Sequence, residues 1–243
     1  MSEMESIQIK GASNFSFSAT KIDNLQTTED TLVTIVIDIS LSVKPYKDLL
    51  LESLKTIIKA CKKAPKAENL LIRVLTFNSV LNELHGFKSL NSIDIDKDYS
   101  CFSAKGCTAL FDATYSAIGA TITYAESLIK QGFNVNGIVY IITDGEDNSS
   151  FMTLDQIKNQ IEISQQQEII ESLLTVVIGL NTDNKISSYL ENFYKKAELS
   201  GYINAGEATP ENLALLTSFV SKSISSSSQS LGTGRASNQP LTI

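Results

Sequence analysis

The chain has 243 residues, of which 42% are hydrophobic and 19% charged. That is enough chain and enough apolar surface to bury a core, and it excludes an intrinsically disordered protein. Lys and Arg total 20 against 27 Asp and Glu, a net charge of -7, so contact with a phosphate backbone gains nothing and nucleic acid is excluded as a default partner.

Residues 7–10 and 15–18 alternate apolar and polar side chains, the period of two short half-buried strands. Residues 32–37 form a β-branched run ending in Asp38, apolar on both faces, as in the middle of a parallel sheet. Residues 45–62 place Leu49, Leu50, Leu54, Ile57, Ile58 and Cys61 on one broad helical face, with Pro45 near the start. Strands follow at 70–77 and, as a short edge strand, at 81–87. A long helix spans 109–130. A third buried-type strand, 137–142, ends at Thr143-Asp144-Gly145. Then come a helix at 153–170 with Thr153 as N-cap, a strand at 173–178, a helix at 184–199, a strand at 201–204 and a helix at 210–224. Strands alternating with helices imply right-handed crossovers. The expected fold is α/β and Rossmann-like: a doubly wound, mostly parallel sheet, helices on both faces, and one short antiparallel edge strand. The expected organisation is an N-terminal extension at 1–30, one domain at 31–225 and a flexible Ser/Gly-rich tail at 226–243.

Three cysteines, Cys61, Cys101 and Cys107, are an odd number without CxxC spacing, which points to free thiols in a reducing compartment. The polar stretch 1–10 shows no signal peptide, and the longest apolar runs are far too short for a bilayer. The expected location is cytoplasmic, or a virion component assembled there, with no membrane contact. His85 is the single histidine. It excludes His-rich zinc sites and reads as a structural or surface residue.

In doubly wound sheets ligands bind beyond the carboxyl ends of the strands. After the first buried strand stands Asp38-Ile39-Ser40-Leu41-Ser42; before the long helix, Gly106-Cys107-Thr108-Ala109-Leu110-Phe111-Asp112; after the third strand, Thr143-Asp144-Gly145. Asp38, Ser40 and Ser42 alternate, so an extended backbone turns them to one side. Two carboxylates and three hydroxyls, completed by water or a ligand oxygen, make the octahedral oxygen shell that Mg²⁺ or Mn²⁺ requires. Each fragment alone reads as a turn or a cap.

Together, in this order, they resemble the von Willebrand factor A domain and its metal-ion-dependent adhesion site, over roughly residues 31–225. The resemblance implies that Ser40, Ser42 and Thr108 contact the metal and that Asp38 and Asp144 act largely through water. It also implies that an acidic residue of a partner protein fills the sixth position. Leu41 and Cys107 stand where the family usually has glycine, and bulkier side chains there narrow access. Asp112, one turn after Thr108, reads equally as an orienting group or a cap. Glu146, Asp147 and Asn148 read as an acidic rim. Cys107 reads as packed, with a reactive thiol as the alternative.

The expected function is therefore a non-enzymatic, metal-dependent interaction module that binds a partner's Asp or Glu. The family adds AAA-type ATPases and multi-protein or phage assemblies as partner classes. One alternative is a structural component with an incidental or occluded metal. Another is a metal-dependent phosphoester hydrolase, which the sequence supports poorly. Ser40 occupies the place of the second aspartate, and there is no phosphate-binding glycine loop or GxSxG elbow.

Overall fold

Aliphatic and β-branched runs that are apolar on both faces can only be buried between two helical layers. The computed structural model, which describes residues 3–10, 14–25, 27–166, 170 and 172–230, places four such runs side by side. They are β3 (Glu29–Asp38), β4 (Leu70–Phe77), β6 (Asn134–Thr143) and β7 (Ser172–Gly179). With β1 (Met4–Gln8), β2 (Ser16–Thr20), β5 (Leu81–Ser89) and β8 (Gly201–Asn204) they build one eight-stranded sheet in the order β1-β2-β5-β4-β3-β6-β7-β8. The run from β4 through β3, β6 and β7 to β8 is parallel.

Alternation along the strands feeds two cores. Val33, Ile35 and Ile37 of β3 face a layer formed by α1 (Lys47–Cys61) and α6 (Pro210–Ser230). Val36 faces α3 (Leu110–Ile129), α4 (Leu154–Gln166) and α5 (Asn184–Lys196) on the other side. A four-residue helix, α2 (Ile95–Asp98), lies between β5 and α3. Each fully buried aliphatic side chain contributes about 1.5–3 kcal/mol over exposure, so this two-sided burial fixes strand order more strongly than local propensity does.

Two strands differ from expectation: β1 spans Met4–Gln8 rather than 7–10 and is mostly exposed, and β5 differs in length and place. Residues 81–87 read as a short edge strand, yet β5 is nine residues long and internal. It pairs antiparallel with β4 and parallel with β2. The cause is the antiparallel β1–β2 hairpin, which covers the open side of β5 and takes the edge itself. The close approach needs Gly86: a Cβ there would stand 1.8 Å from the Ser18 carbonyl oxygen.

Helix α6 runs six residues beyond the expected 224. Ser227 and Ser228 are buried in it, the Ser227 carbonyl accepts from Asn136 Nδ2 at 3.3 Å, and Ser228 Oγ donates to the Lys66 carbonyl at 3.5 Å. The rest of the expected tail, 231–243, lies outside the described residues, as do residues 167–169 of the helix expected at 153–170. No helix among the described residues is long and apolar enough to cross a membrane.

From β3 the chain passes through α1 to β4 on one side, and later returns through α3 to β6 on the other. The carboxyl ends of β3 and β6 therefore flank the reversal of strand order, where a crevice opens.

Candidate metal centre

Parallel pairing sets Ile37 beside Ile142, so Asp38 and Thr143, each one residue further on, meet at the crevice. Thr143 Oγ1 donates to Asp38 Oδ2 at 2.6 Å, and the Ser40 N–H donates to Asp38 Oδ1 at 2.7 Å. Past Asp38 the backbone turns through Leu41–Val43. Ser40 Oγ and Ser42 Oγ lie 3.1 Å apart, and Ser42 Oγ donates to Asp144 Oδ1 at 2.7 Å. The chain Asp38–Ser40–Ser42–Asp144 thus joins two loops more than a hundred residues apart by short polar contacts. Asp38 and Ser40 are buried, Ser42 is exposed and Asp144 is half-buried.

The third loop arrives on the start of α3. The Ala109 N–H donates to the Asn78 carbonyl at 2.7 Å, the Leu41 N–H to the Gly106 carbonyl at 3.2 Å, and the Cys107 N–H to Ser79 Oγ at 2.9 Å. Thr108 is buried, and its Oγ1 lies 3.6 Å from where a Cβ on Gly145 would stand. The five expected oxygen donors therefore gather at one crevice. All are hard ligands, two carboxylates and three hydroxyls, the chemistry that suits a hard divalent cation. Among the described residues no three His, Cys, Asp or Glu side chains form a metal-ligating cluster. A donor set with only two acids does not depend on one.

The acidic rim is part of the scaffold. Ala109, the N-cap of α3, offers no side-chain cap, and the first-turn N–H groups need acceptors. They find them on the loop after β6. Asn148 Oδ1 accepts from the Thr108 N–H at 2.8 Å, Asp147 Oδ1 from the Phe111 N–H at 3.2 Å, and Ser150 Oγ from the Asp112 N–H at 3.0 Å. Asp112 returns the contact, its Oδ1 accepting from the N–H groups of Phe151 and Met152 at 3.0 and 2.8 Å. Asp112 thus fastens the Asp144 loop to the Thr108 helix. Glu146 pairs with Lys185 at 3.0 Å.

Electrostatics favour a cation at the crevice. Burial pushes the Asp38 carboxyl up to about 6, against the downward pull of Thr143 and Ser40, and the nearby Asp144 carboxylate adds to the rise. A buried carboxylate beside a second one is a charge that a bound cation would neutralise. On the outer side of Asp144 the Tyr46 hydroxyl donates to Oδ2 at 2.5 Å. Burial, then the hydrogen bond and charge of Asp144, raise that phenol far above its ordinary range, so it stays a donor.

Leu41 is 59% exposed and Cys107 is exposed as well. Neither side chain is packed between the donors, and the packed role read for Cys107 does not hold. His85 is buried away from the site. Its Nε2 lies 2.6 Å from the Tyr99 hydroxyl and its Nδ1 2.9 Å from the Gly86 carbonyl, which makes it structural. Two site residues escaped the sequence reading. Thr143 could have been found, because it ends its strand beside Asp38. Tyr46 could not, because nothing in the local pattern around α1 signals a partner 98 residues away.

No protein-family model matches the chain, and no curated protein matches it in sequence. Solved structures do resemble it. A D319A mutant of the PilB minor pilin from Streptococcus sanguinis superposes with a TM-score of 0.58 at 14% identity, covering 85% of this chain and 64% of that one. Proximal thread matrix protein 1 from the mussel byssus, with a zinc-occupied MIDAS motif, gives 0.53 at 16%, covering 83% and 47%. The pilus adhesin SpaC from Lactobacillus rhamnosus GG, in an open conformation, gives 0.54 at 11%, covering 83% and 31%. The chain spans less than two thirds of the length of each. At these identities the likeness is one of fold, and the α/β sheet with helices on both faces is compatible with the von Willebrand factor A architecture.

Proposed function

We propose that this chain is a non-enzymatic protein-interaction module working through a divalent cation at the β3–β6 crevice. Asp38, Ser40, Ser42, Thr108 and Asp144 would hold the ion, Mg²⁺ or Mn²⁺. When bound, the ion supplies a Lewis-acidic position that takes a carboxylate oxygen from an Asp or Glu of a protein partner. The observation that carries this reading is the convergence of five oxygen donors from three loops. The Ser42–Asp144 hydrogen bond spans 102 positions and ties two of those loops together. A metal-occupied adhesion-site motif in a structure of similar fold supports it. A setting within a multi-protein assembly is the natural one for such a module.

The hydrolase alternative fares worse. Asp38 is 1% exposed and both its oxygens accept hydrogen bonds, so it is not free to attack a phosphorus atom. Titration calorimetry with Mg²⁺ and Mn²⁺ tests the proposal. Wild type should bind one ion, while Asp38→Ala and Ser42→Ala should bind at least about tenfold more weakly. An absence of binding to wild type, at folded-protein concentrations well above the micromolar range, would sink it.

A further inference from the structure

The amino end of the sheet, opposite the metal crevice, holds a buried charge that the protein leaves uncompensated. Asp30 is the second residue of β3 and 1% exposed. At about 3.3 Å per strand residue it lies roughly 26 Å from Asp38 at the other end of the strand. Thr27 Oγ1 donates to Asp30 Oδ1 at 2.7 Å, while Oδ2 is buried and accepts no hydrogen bond. Burial pushes the carboxyl up to about 6, against the pull of Thr27, and no positive group contributes. Lys66 pairs instead with Glu29, at 3.4 Å. A buried acceptor without a donor costs about 1–3 kcal/mol, more when it is charged, so this oxygen calls for a ligand that supplies one.

There is room for such a ligand. Asp30 and Thr27 both stand in the wall of a cavity of about 570 Å³. Glu68, Asn24 and Asn91 line it too, and all three are exposed, so their oxygens are open to an incoming group. Leu25 and Leu71 give it an apolar side. Among the described residues its wall contains no Lys, Arg or His.

This composition selects among ligands. Two carboxylates and no cation exclude an anion. A divalent metal ion held by protein oxygens wants more acid than Asp30 and Glu68 provide, and it would leave Leu25 and Leu71 without a contact. A primary ammonium on an aliphatic stem uses the whole wall. Its three N–H groups match the acceptors, and its methylenes match the leucines.

We propose that the Asp30 cavity binds a primary alkylammonium group, with Asp30 Oδ2 and Glu68 accepting its N–H donors and Leu25 and Leu71 packing against its methylenes. Such a group belongs either to a free aliphatic amine or to a lysine side chain of a partner protein. The site is separate from the metal crevice and does not rest on the metal-dependent reading.

The test is an NMR titration of the full chain near neutral pH. Butylammonium stands for the free amine, and Nα-acetyl-lysine N-methylamide for a lysine in a protein. At least one should shift the backbone amides of Thr27, Asp30 and Asn91 saturably, and the tighter one identifies the source. 1-Butanol lacks the charge and tetramethylammonium lacks the N–H donors, so each should bind at least about tenfold more weakly. Asp30→Asn keeps an acceptor for Thr27 and should weaken the amine at least about tenfold. Glu68→Gln, at an exposed position, should weaken it by roughly threefold or more. Glu52→Gln, which removes an exposed charge from α1, should leave it unchanged and so separates the site from the general attraction of an acidic chain for cations. No saturable binding of either amine, tetramethylammonium binding as tightly as butylammonium, or unchanged affinity in a folded Asp30→Asn protein overturns the proposal. If Asp30→Asn does not fold, Glu68→Gln decides, and unchanged affinity there overturns it equally.

Discussion

Replacing Asp38 by Asn should make the metal-free protein more stable, not less. The carboxyl is 1% exposed and its pKa rises from 3.8 to about 6, mainly through burial. A rise of that size corresponds to about 3 kcal/mol favouring the neutral form in the folded state. The native state then holds a proton that the unfolded chain releases between about pH 4 and 6. Asp38 therefore contributes stability below its unfolded pKa and loses it as the pH rises through about 6. An asparagine carries no charge to desolvate. Its Oδ1 can still accept from the Ser40 N–H, and its Nδ2 can donate to Thr143 Oγ1. Some of the gain goes to replacing charge-assisted bonds with neutral ones. In chelator at about pH 7.5 we expect Asp38→Asn to gain about 1–3 kcal/mol, a rise in Tm of roughly 2–10 °C for a domain of this size. The advantage should about halve by pH 5. Saturating Mg²⁺ should raise the Tm of wild type and leave the variant unmoved. Differential scanning calorimetry at the two pH values reads all of this. An Asp38→Asn protein that melts at or below wild type in chelator near pH 7.5 would refute the claim that this buried charge burdens the empty site.

Tyr46→Phe removes the hydroxyl that holds Asp144 Oδ2; calorimetry should show Mg²⁺ affinity falling about 10–100-fold with the fold intact, and unchanged affinity would count Tyr46 out. Burial lowers the His85 pKa to about 4, so the stability it contributes is present above about 6.5 and is lost as the pH falls through about 4. His85→Asn should flatten that acid loss, by up to about 3 kcal/mol. Asp38 and Asp30, the latter also raised to about 6 by burial, act in the opposite direction over the same window, so the informative quantity is the difference between variant and wild-type profiles in urea. Gly86→Ala drives a Cβ against the Ser18 carbonyl. It should cost about 1–3 kcal/mol and speed amide hydrogen exchange across residues 4–20 more than in β3 or β6; uniform exchange would show that the hairpin does not depend on this contact.

Much of the fold was legible because two periodicities reported it directly. The runs that became β3, β4, β6 and β7 are predominantly apolar on both faces, with only a few polar residues such as Thr34 and Arg73 among them, and a sheet covered on both faces accommodates such runs. The helices carry their apolar residues on one face, and Thr209-Pro210-Glu211 marks the start of α6. The extent of β5 was not legible. Whether a strand is internal depends on what lies beside it, here a hairpin formed some seventy residues earlier in the chain.

The candidate site divides along the same line. By itself the sequence named the candidate donors: Asp38, Ser40, Ser42, Thr108 and Asp144 each stand at or near the end of an element, and hydroxyl and carboxylate oxygens at such places are local facts. Only the tertiary structure decided which groups hold those donors. Tyr46 on Asp144, Thr143 on Asp38, and Asp147 and Ser150 capping α3 in place of a missing local cap are contacts set by parallel register and helix packing. The physical reason is that a side chain's identity fixes what it can donate or accept, whereas its partner is whatever residue the fold places within about 3 Å.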